Sequence, residues 1–294
     1  MSRYSWIDPE WRDLLAGAGL RDLDALLQDA DEPRLPGRWD ALNKPGLNGR
    51  QRWRWQIGDS AGRTLFVKRY FRTPLREQVD RIQYQRVGHG RAWWEYETSR
   101  RLAEAQVPSV RVVGVVERMH GPFERSSAVL FEQAPGEPFD RVWPRLEAAG
   151  APVTRGPARI DVAIRLGRLI CAFHQTGFCH RDLYLCHIFS EIDASGAAAP
   201  RFAIIDLARA LRPTARRGRW VLKDLSQLDA SARQIGATRS DRVRFLLAYL
   251  GLQPGAPRTR WYARRVAQRS DRILRRIARH ARRDTPSAAM SRAS

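Results

Sequence analysis

The chain has 294 residues, 43% of them hydrophobic, which is enough to bury one large domain or two lobes. It contains no run of about 18 uncharged apolar residues and no apolar signal core at its N-terminus, so a cytosolic protein is expected. The formal charge of +21 attracts anionic partners, while three cysteines (Cys171, Cys179 and Cys186) are too few and too odd in number for a disulfide framework.

Residues 1–45 read as an accessory helical segment. Asp8-Pro9-Glu10 has the form of a helix start running to about Ala16, and a second short helix is predicted from Asp22 to Gln28. Pro33 to Gly49 reads as a linker. Alternation in Arg52-Trp53-Arg54-Trp55-Gln56-Ile57, a turn over Gly58 to Gly62, and the run Thr64 to Tyr70 predict a β-hairpin. A helix from Ala92 to Ala105 and strands at Val110–Val116 and Ser127–Phe131 follow. Beyond them the pattern turns helical, with an amphipathic helix at Ile160–Gln175 and a polar loop at 176–187. A short strand is predicted at Phe202–Ile205, then helices at 222–235, 239–250 and 259–282. The last ten residues are expected to be a disordered tail.

The chemistry concentrates in a few places. His180-Arg181-Asp182 lies in the polar loop, and Asp206 ends the short strand after it. Two such loop aspartates can converge, one orienting a hydroxyl nucleophile and the other holding a metal on a triphosphate. Only three of the 52 basic residues are lysines, namely Lys44, Lys68 and Lys223. A chain that uses arginine almost everywhere should keep lysine where a compact ammonium matters. Lys68 ends a strand, and Glu95 or Glu97 on the next helix could pair with it. The two glutamates project about 200° apart, so only one can face the lysine, and spacing from Leu102 and Pro108 favours Glu95.

The order Lys68, Glu95, His180-Arg181-Asp182, Asp206 resembles that of protein kinases. The run His180-Arg181-Asp182-Leu183-Tyr184-Leu185-Cys186-His187-Ile188-Phe189 is similar to the bacterial lipopolysaccharide kinase family, whose members phosphorylate heptose or Kdo of the inner core. Phe66-Val67-Lys68-Arg69-Tyr70, Ile205-Asp206-Leu207-Ala208-Arg209-Ala210 and Lys223-Asp224-Leu225 share the likeness, which extends from about Trp53 to Leu250. The resemblance implies an α+β, protein-kinase-like bilobal fold. Residues 46–134 would form a small antiparallel-sheet lobe with one long helix, 135–284 a mainly helical lobe, and 285–294 the tail. It implies ATP and Mg²⁺ as cofactors and the following roles. Lys68 contacts the α- and β-phosphates, Glu95 fixes Lys68, Asp182 is the catalytic base and Asp206 holds the metal. Main-chain groups near Glu132 and Ala134 receive the adenine. His187 stands where protein kinases carry a metal-binding asparagine. Because imidazole is a poor ligand for a hard cation, a structural or phosphate-facing role stays open beside metal ligation.

Departures from protein kinases bear on the acceptor. No G-x-G-x-x-G precedes Lys68; only Gly46 and Gly49 lie nearby. Neither Phe-Gly nor A-P-E follows Asp206. These features suit an anionic glycolipid or core saccharide better than a protein substrate. The competing readings are a kinase for Kdo, a small metabolite or a protein, and a pseudokinase with a basic partner surface. A zinc site among His174, Cys179, His180, Cys186 and His187 does not match the usual spacings. The arginine-rich stretch Arg258–Arg283 is either a solvated helix packed on the core or a face for anionic lipid at the inner membrane. No nucleic-acid motif accompanies the charge.

Overall fold

The computed structural model describes residues 2–28, 35–42, 49–58, 62–71, 73–253 and 255–284, with side chains through 281. The linker around Lys44 and Gly46 and the tail expected at 285–294 lie outside the described residues. Nine strands and eight α-helices are present among the described residues. Strands β1 (Ser2–Ile7), β2 (Arg38–Ala41), β3 (Arg50–Ile57), β4 (Arg63–Phe71), β5 (Val112–His120) and β6 (Phe123–Glu132) form one antiparallel sheet in the order β1-β5-β6-β4-β3-β2.

The two faces of this sheet have different covers. On β3 the residues Trp53, Trp55 and Ile57 alternate inward to an outer apolar layer, and Leu65 and Val67 of β4 join them. Over that layer lie Trp11, Leu15 of helix α1 (Arg12–Gly17), and Leu20, Leu23 and Leu26. Residues 1–45, expected as an accessory helical segment, therefore supply two strands of the sheet and the lid of one of its cores. Asp8 does cap the first turn, accepting from Glu10 N at 3.0 Å, although that turn is 3-10 before α1 begins. Helix α2 (Leu75–Tyr84) is fastened to the β5–β6 turn, and the opposite face carries α3 (Arg91–Glu104). The latter buries Trp93, Trp94 and Leu102 against Tyr70, Val115, Val129 and Phe131.

After Glu132 the chain crosses to a helical unit. It contains α4 (Phe139–Ala148), α5 (Gly156–Gln175), α6 (Arg217–Gln234), α7 (Arg239–Leu250) and α8 (Pro257–Asp284). A small sheet of β7 (Glu137–Pro138), β8 (Ile188–Glu191) and β9 (Arg201–Ile204) lies at its junction with the first lobe. The crossing is tight. Gly136 has φ +77°, and a Cβ there would sit 2.1 Å from the Ser190 carbonyl oxygen, so only glycine fits. A small antiparallel sheet with one long helix above a mainly helical unit is the bilobal, protein-kinase-like α+β architecture.

Candidate active site

Strand alternation that sends Val67 outward turns Lys68 toward α3. Its Nζ lies 2.8 Å from Glu95 Oε2, and Glu95 is fully buried. The other Glu95 oxygen accepts from Tyr70 Oη. Burial raises the Tyr70 phenol pKa well above its ordinary value and Glu95 raises it further, so the hydroxyl keeps its proton and donates. Glu97 instead pairs with Arg100 and Arg101 on the outer side of α3, at 3.0 and 2.5 Å. Glu95, not Glu97, is the partner of Lys68.

Lys68 also spans the lobes, with Nζ 2.9 Å from Asp206 Oδ1. Asp206 follows β9 in the left-handed region (φ 60°, ψ 59°), a conformation that aspartate tolerates better than most residues. Its second oxygen is 3.5 Å from Arg52 Nη2 and 3.6 Å from His187 Nε2. Burial alone would raise the Asp206 pKa, but Lys68, His187 and Arg52 outweigh it and hold the carboxyl far below its ordinary value.

The catalytic-type loop is pinned from beneath. Arg181 adopts φ +68°. Fully buried Asp224, on α6, accepts from His180 N at 2.6 Å and Arg181 N at 2.9 Å, and Lys223 Nζ donates to the Arg181 carbonyl. A strained backbone residue at such a site persists only where surrounding contacts over-determine it. His180 Nε2 donates to the Ile205 carbonyl at 2.9 Å, joining the loop to the Asp206 segment, and burial lowers its pKa, keeping the ring neutral. His187 Nδ1 donates to the Asp182 carbonyl at 2.7 Å. One imidazole thus bridges the backbone of Asp182 and the carboxylate of Asp206. The Asp182 carboxylate, half-buried, makes no hydrogen bond or ion pair among the described residues, leaving it available to a substrate hydroxyl.

The His187 pKa is pushed up to about 9. Burial opposes this rise, but the hydrogen bond with Cys186 and the charge of Asp206 exceed it. With Nδ1 committed to a carbonyl, Nε2 must lose its proton before the ring can ligate a metal. Asp206 is the oxygen donor suited to a hard divalent cation. Lys68, Arg52 and the His187 imidazolium outnumber the Glu95 and Asp206 carboxylates, and this local excess of positive charge fits a polyphosphate. At the end of β6, Glu132 N donates to Arg111 O at 3.0 Å, while Ala134 N–H has no acceptor among the described residues.

The structure thus brings Lys68, Glu95, Asp206 and His187 into direct contact and ties Asp182 to them through one ring. Three contributors were not singled out from sequence. Arg52 lies directly across from Lys68 in the β3–β4 register, a placement the hairpin alternation already contained. Tyr70 carries no signature of its role. Asp80 on α2 makes a two-pronged pair with Arg181, at 2.8 and 3.0 Å, while the guanidinium lies over the Tyr84 and Trp220 rings. His174, Cys179 and Asp224 offer ligand atoms within 4.8 Å of one another. The Asp224 carboxylate there is already committed to two backbone amides and lies 3.3 Å from His174 Nε2, which marks a loop clamp.

Residues 47–249 match the family model of the lipopolysaccharide kinase (Kdo/WaaP) family, well over half of the chain. A Pseudomonas aeruginosa protein described as lipopolysaccharide core heptose(I) kinase WaaP is 32% identical over 210 residues, covering 69% of this chain and 74% of the relative. An Escherichia coli protein of the same description is 28% identical over 197 residues, covering 65% and 72%. A solved structure of WaaP in complex with acyl carrier protein superimposes with a TM-score of 0.63 at 25% identity, covering 90% of this chain and 99% of that one. Every residue of the cross-lobe ion cluster falls inside the matched stretch, and this chain belongs to the lipopolysaccharide kinase (Kdo/WaaP) family, kinases whose chemistry uses ATP and a divalent metal.

Proposed function

We propose that this kinase transfers the γ-phosphoryl group of ATP, with Mg²⁺, to a heptose hydroxyl of the lipopolysaccharide inner core. The observation that carries the proposal is the bridge Glu95–Lys68–Asp206, which joins the two lobes around the place a triphosphate would lie. The heptose assignment rests on the description of the relatives. In this reading Lys68 grips the α- and β-phosphates, Glu95 holds it, Asp206 takes the metal, and the main chain at Glu132 and Ala134 receives adenine. His187, as an imidazolium, faces phosphate oxygen. The lobes divide near residue 134, with the accepting sugar on the side of the helical lobe.

Asp182 takes the proton of the sugar hydroxyl as that oxygen bonds to phosphorus and the bond to the bridging oxygen of ADP breaks. The proton ends on the carboxylate and the electron pair on ADP. A positioned base contributes about 10²–10⁴-fold. The protein works in the cytosol, peripherally at the inner membrane face. No described helix is long and apolar enough to cross a membrane.

The test is purified protein with Mg-ATP and a heptose-containing core acceptor, followed by mass spectrometry of the product. A mass gain of one phosphate at heptose is expected, and Asp182→Asn should lose it. Phosphate on Kdo alone would move the acceptor. Failure to bind nucleotide would replace the kinase reading with a binding module.

A second reading concerns a partner. The structural neighbour was solved with an acyl carrier protein. Here an apolar cavity of about 520 Å³ lies between α4, α5, α6, α7 and α8, lined by Val162, Leu166, Leu228 and Leu246, with Arg239, Arg260 and Arg264 among its polar residues. Such a cavity suits a hydrocarbon chain delivered by a carrier. Co-elution with acylated but not unacylated carrier, lost in Leu166→Gln, is expected.

A further inference from the structure

We infer that the outer face of α2, together with the β5–β6 turn, docks on an anionic bilayer and presents the adjoining catalytic loop to a lipid-anchored acceptor. The inference rests on the glycolipid-kinase reading for its acceptor but not for its docking face.

Large apolar side chains are exposed at few places in the described residues, and the three most exposed share one segment. Leu75 is 75% exposed, Val79 is 59% and Val87 is 57%. Leu75 and Val79 are one helical turn apart on α2 and point the same way. The turn bearing Phe123, itself 43% exposed, is fastened to this helix. Gln78 Nε2 donates to Glu124 O at 2.7 Å, Glu124 N donates to Gln78 Oε1 at 3.2 Å, and Arg81 donates to Pro122 O. A cluster of bulky exposed apolar groups on two fastened elements marks an interaction surface, whereas singly scattered ones do not.

Its charge names the occupant. Arg76, Arg86 and Arg125 are exposed beside these apolar residues. The acidic groups of the same helix are already neutralised, Glu77 by Arg91 and Asp80 by Arg181. Apolar residues among unneutralised arginines suit insertion into the headgroup layer of an anionic leaflet, where each arginine near the surface adds electrostatic attraction.

The basic helix α8 is the competing face. Its apolar side is occupied, since Val266 is buried and Ser270 Oγ donates to Ser226 O of α6 at 3.0 Å. Of its large apolar side chains among the described residues, Trp261 and Ile277 remain exposed. The α2 face has more apolar reach and a direct line to the chemistry. Asp80 holds the Arg181 guanidinium next to Asp182, and Gln85 Nε2 donates to Ala208 O at 2.7 Å beside Asp206. A bilayer against α2 would therefore bring lipid-linked sugars within reach of the base.

The experiment pairs co-sedimentation with activity. Full-length protein is mixed with vesicles of phosphatidylethanolamine and phosphatidylglycerol, or of phosphatidylcholine alone. Wild type is expected to bind the anionic vesicles. Leu75→Ser/Val79→Ser, with both sites solvent-exposed, should keep its melting temperature and lose about tenfold or more in partitioning. Trp261→Ala should lose little. In the kinase assay the double variant should be impaired on acceptor in vesicles and unchanged on a deacylated core oligosaccharide. Wild-type indifference to anionic vesicles, equal binding by the double variant, or loss confined to Trp261→Ala overturns the docking face. A protein captured through Leu75 and Val79 without vesicle binding does so too. Vesicle binding lost as expected, with neither acceptor phosphorylated by wild type, keeps the face and removes the kinase reading.

Discussion

Lys68, Arg52 and His187 all face the one carboxylate of Asp206, and the last two carry separate expectations. Arg52 lies in register with Lys68 on the neighbouring strand and turns its guanidinium to the same carboxylate, so a second fixed cation stands beside the lysine. Arg52→Ala should raise the KM for ATP about tenfold and lower kcat less, measured by steady-state kinetics at saturating acceptor. His187 gives a pH dependence. Its folded pKa, about 9, exceeds the ordinary 6.5, so its stabilising contribution is complete below about pH 6.5 and is lost as pH rises through about 9. Melting temperature should fall across that interval in wild type, and His187→Gln should flatten the fall. At this scale the sequence was legible where residue type is scarce or placement is fixed. Lysine is rare, and Asp182 and Asp206 sit in a recognisable order. Arg52 was hidden because arginine is everywhere in this chain, and rarity was the signal in use.

One element that grips the catalytic-type loop, α2, carries little signal in the sequence. Pro74 and a run of polar residues disguised a helix whose buried side is Gln78 and Arg81 rather than leucine. Strand β1 was missed as well, because Ser2–Ile7 pairs with β5, far along the chain, and only that partner makes it a strand. The hairpin β3–β4, α3 and α7 were readable because their patterns are local. From α2, Asp80 grips Arg181, whose backbone is fixed by Asp224 and Lys223 on α6. Asp80→Asn should lower kcat severalfold while the KM for ATP stays near wild type, and Asp80→Glu should restore most of the loss. A matching rise in the KM for ATP would show a general disturbance of the cleft. The lobe crossing gives a second expectation at this scale. Gly136→Ala forces a Cβ onto the Ser190 carbonyl and a left-handed backbone, costing about 2 kcal/mol or more, which calorimetry would register as a melting temperature lower by several degrees.

For the molecule as a whole, residues 2–28 decide whether the smaller lobe can stand. They lie outside the family match, which begins at residue 47, yet the structural neighbour covers 90% of this chain. The sequence reads them as an accessory because their helices are short and a Pro- and Gly-containing stretch separates them from the first hairpin. Their physical role emerges only against the sheet, where Trp11, Leu15, Leu20, Leu23 and Leu26 close over Trp53, Trp55 and Leu65. Burying five such side chains at about 2 kcal/mol each is worth about 10 kcal/mol, comparable to the whole net stability of a domain, about 5–15 kcal/mol. Arg3 and Arg118 add ion pairs to Asp24 at 3.1 and 3.0 Å, but these are partly exposed and contribute little. Removal of residues 2–28 should therefore leave a chain that aggregates or binds hydrophobic dye rather than one that lacks an appendage. A milder probe separates packing from folding failure. Leu23→Ala removes one fully buried side chain above Gly114 and should cost about 2–5 kcal/mol, with a measurable but cooperative unfolding transition. A truncated chain that melts at the wild-type temperature, with unchanged ATP affinity, would return the segment to the accessory status that its short helices and the linker after them suggest.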